Sequence, residues 1–151
     1  MENIFRLSSL FVMPFWLLAI LLPRWRWSQR VIGSVWIVAP AALLYIALIA
    51  PQLAGALPLL LNPTLSGIAA FLGTPAGATT AWVHFLAFDL FVGRWVYLDG
   101  NSREISPWLI SPLLFLVLLV GPLGLMLYLC VRPIVGKRPH SSLLTTQGGT
   151  A

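Results

Sequence analysis

The sequence predicts an all-α, polytopic membrane protein: a four-transmembrane-helix bundle with an interfacial or re-entrant segment between helices 2 and 3. Three observations carry that expectation. Of the 151 residues, 59% are hydrophobic and only 9% charged, with a mean hydropathy of +0.92, whereas a water-soluble domain needs about 25% charged residues to cover its surface. The apolar residues gather in runs long enough to cross a bilayer core. Four prolines, Pro51, Pro58, Pro63 and Pro75, break up the apolar stretch between the second and third runs.

The first span is expected at 4–22. Its sequence has the look of a signal peptide but lacks a small-x-small cleavage site, and Arg24-Trp25-Arg26-Trp27 follows as an interfacial anchor. Nineteen residues at about 1.5 Å each make about 28 Å, close to the ~30 Å hydrocarbon core. The second span, 31–50, carries no charge and holds Pro40, which is expected to bend it. Residues 51–77 read as a non-spanning loop with a short helix around 64–73; a kinked fifth span at 57–73 is the alternative. The third span is 79–98. The polar segment 98–107, with Asp99-Gly100 as a turn dipeptide, leads into a fourth span at 108–131, which Gly121-Pro122-Leu123-Gly124 interrupts. Residues 1–135 form one membrane domain, and 136–151 a basic, then Ser/Thr/Gly-rich, disordered tail in which His140 is inert. With no transit peptide ahead of the first span, the expected location is a prokaryotic plasma or photosynthetic membrane.

Charge sets the partners. The net charge of +5 comes from basic residues mostly outside the apolar runs and fits anionic lipid headgroups. Nucleic acid is an unsuitable partner, because no soluble basic surface exists to present to it. Four spans would place Arg24, Arg26, Arg30 and Arg103 on one side, and Arg6, Arg132, Lys137 and Arg138 on the other. The positive-inside rule then selects no orientation. Self-association stays open.

Chemistry concentrates in Ala81–Gly100, AWVHFLAFDLFVGRWVYLDG. No other apolar run carries an interior charge, and an ionisable group at bilayer depth costs ~3 kcal/mol on insertion scales. Such a cost marks the segment as a candidate functional site, against the plainer reading that its charges only fix helix packing. On a helix, Asp89, Gly93 and Tyr97 share a face about 90° wide, while His84 and Arg94 each lie about 140° from Asp89. The three ionisable groups therefore do not pair along the helix and find partners elsewhere. With two His and four Asp plus Glu in the whole chain, a di-iron cluster or bis-histidine haem lacks ligands, and the lone Cys130 builds neither a disulfide nor a Cys-rich metal site. No phosphate-binding or dinucleotide fingerprint is present. Metal and cofactor are thus both expected to be none, leaving acid–base chemistry or binding without chemistry.

The run WVHFLAFDLFVGRWVYLDG resembles the signature of the neoxanthin-synthase-like family, also called abscisic-acid-deficient-4-like, and GPLGLMLYLCVRP resembles that family's second marker on the last helix. The chain is similar to a bacterial-type member; it departs from the plant pattern at Gly93 and Trp95, which flank the arginine. The resemblance implies four spans and a plastid-type membrane function in carotenoid metabolism, where plant members are needed to turn violaxanthin into neoxanthin. That reaction opens an epoxide and removes a proton to leave an allene, with no net redox change. It implies His84 as base, Asp89 as acid and Arg94 as oxyanion stabiliser. Trp82, Phe88, Trp95 and Tyr97, with Phe91, would hold the polyene substrate. A non-catalytic module binding a carotenoid or a partner enzyme is the competing reading. A transporter is a weaker one, because no internal repeat and no second charged helix supply a path.

Overall fold

A computed structural model describes residues 1–137, so most of the expected tail, His140 included, lies outside the described residues. Among these the secondary structure is helical throughout: α1 (Glu2–Leu21), α2 (Arg26–Gly33), α3 (Ala39–Ile49), α4 (Leu53–Leu61), α5 (Leu65–Leu72), α6 (Pro75–Ser102), α7 (Pro107–Leu119) and α8 (Gly121–Val135), with 3-10 turns at Val35–Ile37 and Ala50–Gln52. Three stretches are long and apolar enough to cross a membrane: Glu2–Leu21, Val35–Leu61 and Pro75–Ser102.

The long helix α6 is the axis. It buries Val83, Leu86, Ala87, Leu90, Gly93, Val96 and Tyr97 against neighbours on several sides. Helix α1 runs parallel to it. Ser8, Val12, Trp16 and Ala19, spaced three and four apart, form the buried stripe that makes this contact. Trp82 Nε1 donates to Ser9 Oγ at 2.8 Å, Trp16 covers Gly93, and the Tyr97 hydroxyl donates to the Pro23 carbonyl at 2.6 Å. Helix α3 runs the other way, as Arg94 meets Gly33 and Ser34, Tyr45 meets His84, and Gln52 Nε2 donates to Thr80 Oγ1 at 2.9 Å.

Several boundaries differ from those expected. The run 31–50 is divided: α2 ends at Gly33, Ser34 is extended, and Pro40 sits in the first turn of α3, where its missing N–H costs nothing. Residues 53–61 are helical despite Pro58 and continue the line of α3. The short helix expected near 64–73 is α5, whose Phe71 carbonyl packs under Gly77. Helix α6 continues past Asp99-Gly100 to Ser102, because Gly100 serves packing rather than turning: a Cβ there would overlap Ile110. The reversal comes at 103–106, with Glu104 in the left-handed region at φ 54°.

The largest difference is at 108–131, expected as one span. It is two helices of 13 and 15 residues that fold back on each other. Pro122 offers no N–H through which α7 could continue. Gly124 lies so close to the Val117 backbone that a Cβ would collide with it. The hairpin ends where it began: Lys137 N–H donates to the Arg103 carbonyl at 3.0 Å, and Lys137 Nζ reaches Glu104 Oε2 at 2.5 Å. The Lys137 ammonium holds the Glu104 carboxyl below its ordinary range, so this tether exists at neutral pH and is lost in acid, as pH falls through that lowered value. Below it, Asp99 Oδ2 accepts from Arg103 Nε at 2.9 Å, from Arg132 Nη1 at 3.3 Å and from the Tyr128 hydroxyl. Ser111 Oγ donates to the Ile20 carbonyl at 2.6 Å and ties the hairpin to α1.

Asp99 thus joins α6 to α8 through one oxygen. Asp99→Ala leaves two guanidinium groups and a hydroxyl without their acceptor and should destabilise the protein by about 2 kcal/mol, with Tyr128→Phe costing about half as much. Thermal unfolding in detergent micelles measures both.

Candidate functional site

The hairpin tip meets α6 halfway along its length. Asp89 stands thirteen residues before Ser102, about 20 Å of helix, which is also the length of α7. There α1, α6 and the tip enclose a slot of about 710 Å³. Its floor on α6 is Trp82, His84, Phe85, Phe88, Asp89 and Val92. Ser9, Met13 and Trp16 line it from α1, and Leu118, Leu119, Gly121 and Pro122 from the tip. The walls are apolar and aromatic apart from a few polar groups, the usual make-up of a small-molecule site.

Asp89 is half-buried and enters none of the ion pairs among the described residues. Its carboxylate faces the start of α8: any Cβ at Gly121 would strike Oδ1. That helix has no side-chain cap, and its first-turn amides have no acceptor within the helix. The positive end of its dipole therefore stands beside the Asp89 carboxylate, an attraction that strengthens where water is excluded.

His84 lies five residues earlier. Its ring stacks on Phe88 at 4.6 Å between centroids and approaches Tyr45 at 5.2 Å. It borders both the slot and a smaller cavity of about 200 Å³ lined by Tyr45, Thr80 and Phe71. On the α1 side, Trp16 is almost fully buried and its indole N–H has no partner among the described residues.

Of the residues expected to form a site, Trp82, His84, Phe88 and Asp89 come together in the slot. The others do not join them. Arg94 Nη2 donates to the Gly33 carbonyl at 2.6 Å and Nε to the Ser34 carbonyl at 3.2 Å, capping the end of α2. Trp95 packs edge-on against Tyr128, beneath the Arg132 guanidinium. Tyr97 is fully buried on Pro23, and Phe91 is half exposed. Ser9, Trp16, Gly121 and Pro122 belong to the slot without having been expected there. Only the Gly-Pro break signalled anything in the sequence, and it carried no hint that the helix reverses. Among the described residues no three of His, Cys, Asp and Glu gather as metal ligands would.

The fold and slot define a small all-helical protein with an apolar pocket built on a broken helix, its one carboxylate set against that helix's N-terminus. The chain belongs to the ABA DEFICIENT 4-like family, whose model matches residues 3–128. It is 33% identical over 76 residues to the chloroplastic protein ABA DEFICIENT 4 of Arabidopsis thaliana, a match covering 50% of this chain and about a third of that relative's length. No solved structure matches the chain.

The contact of Gly121 with Asp89 is open to direct measurement. Gly121→Ala should cost about 1–3 kcal/mol through overpacking. In an Asp89→Ala background most of that penalty should vanish, and a double-mutant cycle read by thermal unfolding gives the coupling.

Proposed function

We propose that this chain is an integral membrane protein of carotenoid (xanthophyll) metabolism that opens an epoxide without a cofactor, in the manner of a neoxanthin synthase. The observation that carries the proposal is the slot: an apolar and aromatic pocket of about 710 Å³ halfway along α6, with His84 and Asp89 as its titratable side chains. Membership of the ABA DEFICIENT 4-like family, linked to neoxanthin formation in plants, supports the pathway. In this reading the three long helices cross the bilayer. The α7–α8 hairpin enters and leaves at one face in place of a fourth crossing, burying its non-helical tip in protein.

Protonated Asp89 delivers its proton to the epoxide oxygen as the C–O bond breaks, and His84 takes the proton from the neighbouring carbon as the allene forms. One proton enters the substrate and one leaves, so the product is an isomer. Exchange of a proton from His84 to Asp89 restores the starting state. The α8 N-terminus favours the carboxylate left behind on Asp89. Trp82 and Phe88 hold the polyene, and the Trp16 N–H supplies a donor for an oxygen on it. Arg94 has a different task in this reading: it fixes the α2–α3 break.

A second reading, a module that binds a carotenoid without reacting, draws on one observation: among the described residues His84 meets the rings of Tyr45, Phe85 and Phe88 and makes no hydrogen bond. Expression in a pigment-producing host, followed by pigment chromatography, separates the two. A catalytic site predicts a new allenic xanthophyll, lost about 10²-fold in His84→Ala and in Asp89→Asn while protein levels hold. Arg94→Ala should instead lower the melting temperature, as the loss of two charged hydrogen bonds worth about 1.5–3 kcal/mol each would, with activity per folded molecule retained. An unchanged pigment profile with bound carotenoid in the purified protein would favour the module.

A further inference from the structure

Because the α7–α8 hairpin returns to its starting point, it gathers the basic residues at one end of the molecule. Arg24 lies close enough to Glu104 to influence it, Arg103 and Arg132 share Asp99, and Lys137 pairs with Glu104. Arg26 and Arg30 stand on α2, whose start follows Pro23, the residue that Tyr97 and Asn101 hold against the same end of α6. Six cations therefore face two carboxylates, Asp99 and Glu104. The opposite end has Arg6, matched by Glu2 at 2.7 Å. The two ends of the bundle differ sharply in charge, an asymmetry that a single span at 108–131 would have erased.

The unpaired part of this charge has a specific form. Arg24, Arg26 and Arg30 enter no ion pair among the described residues and are exposed. They alternate with Trp25, 47% exposed, and Trp27, 55% exposed, and the Arg30 guanidinium lies over the Trp27 ring at 5.5 Å. Helix α2 anchors itself by burying Ser28 and Ile32 and turns its arginines and Trp27 outward. Indole rings settle at the headgroup level, and arginine forks bind phosphate.

We propose that this basic end is a docking face for anionic phospholipid headgroups, with Arg24, Arg26 and Arg30 as the phosphate ligands. Through this preference it points to the membrane side rich in such lipids and Lys/Arg-bearing loops, the cytoplasmic side in a bacterial host, with Glu2 and Arg6 opposite. The proposal requires membrane insertion but is independent of the substrate of the slot.

Two measurements on the full chain test it. In a Cys130→Ser background, Asn3→Cys, Gln29→Cys and Lys137→Cys are treated with a membrane-impermeant maleimide in intact bacterial cells whose outer membrane has been opened. Labelling of position 3 alone, with 29 and 137 reacting only after lysis, is the expected result. Positions 29 and 137 labelling from opposite sides, or 29 from outside, overturns the orientation. Native mass spectrometry of the detergent-solubilised protein with phosphatidylglycerol or phosphatidylcholine then reads headgroup preference. Preferential phosphatidylglycerol binding that falls about 10²-fold in the Arg24→Gln, Arg26→Gln, Arg30→Gln triple variant is expected. Equal binding of the two lipids, or a preference the triple variant keeps, overturns the docking face; a separate melting curve confirms that the variant is folded.

Discussion

One carboxylate oxygen closes the structure. Asp99 Oδ2 accepts from Arg103, Tyr128 and Arg132, three residues from both sides of the α7–α8 hairpin. Partly buried, such a cluster is costly to break, because removing the acceptor strands two cations and a hydroxyl. With α8 fixed beside the end of α6, the hairpin can extend only as far as its helices reach, and that reach sets its tip against Asp89. The slot and the uneven distribution of charge both depend on this one closure.

A helix that breaks inside a protein must still satisfy its terminal amides and carbonyls. Here the break is covered by α6 and α1 and borders the slot. Broken helices with termini aimed at a midplane site recur in membrane transporters, where the dipole favours an anionic group. In this protein the group is supplied by the chain itself, as Asp89. The same features that make the tip costly, an uncapped helix start and a carboxylate in an apolar place, give the slot its chemical character. Small residues allow the arrangement: Gly121 admits Asp89, Gly124 admits the α7 backbone, and Gly93 admits the Trp16 ring.

The sequence made the helical class legible, because its apolar residues gather in runs of helix length, three of which are long and apolar enough to cross a membrane. It also singled out α6 as the apolar run with interior ionisable groups, and two of these, His84 and Asp89, line the slot. What it hid was direction. Gly121-Pro122-Leu123-Gly124 was visible as an interruption, but a kink and a reversal share that pattern. The contacts of Asp99 with α8, of Lys137 with Arg103 and of Gly124 with the Val117 backbone distinguish them. Arg94 presents a related ambiguity, as it bonds the Gly33 and Ser34 carbonyls. A charge in an apolar helix demands partners, and a helix end offers bare carbonyls as readily as a substrate offers an oxyanion. Asp99-Gly100 read as a turn because the dipeptide favours one, yet Gly100 was needed for the approach of Ile110 and the helix ran on.

The reversal at Val120–Gly121 is the central structural claim, and a distance decides it. Spin labels at Ser106→Cys and Ile134→Cys, in a Cys130→Ser background reconstituted into lipid nanodiscs, bracket the hairpin. Double electron–electron resonance should find them close together, well under the ~42 Å that a continuous helix of 28 residues would impose. A distribution centred near ~42 Å would mean that α7 and α8 form one crossing, and the slot at Asp89 would lose its roof.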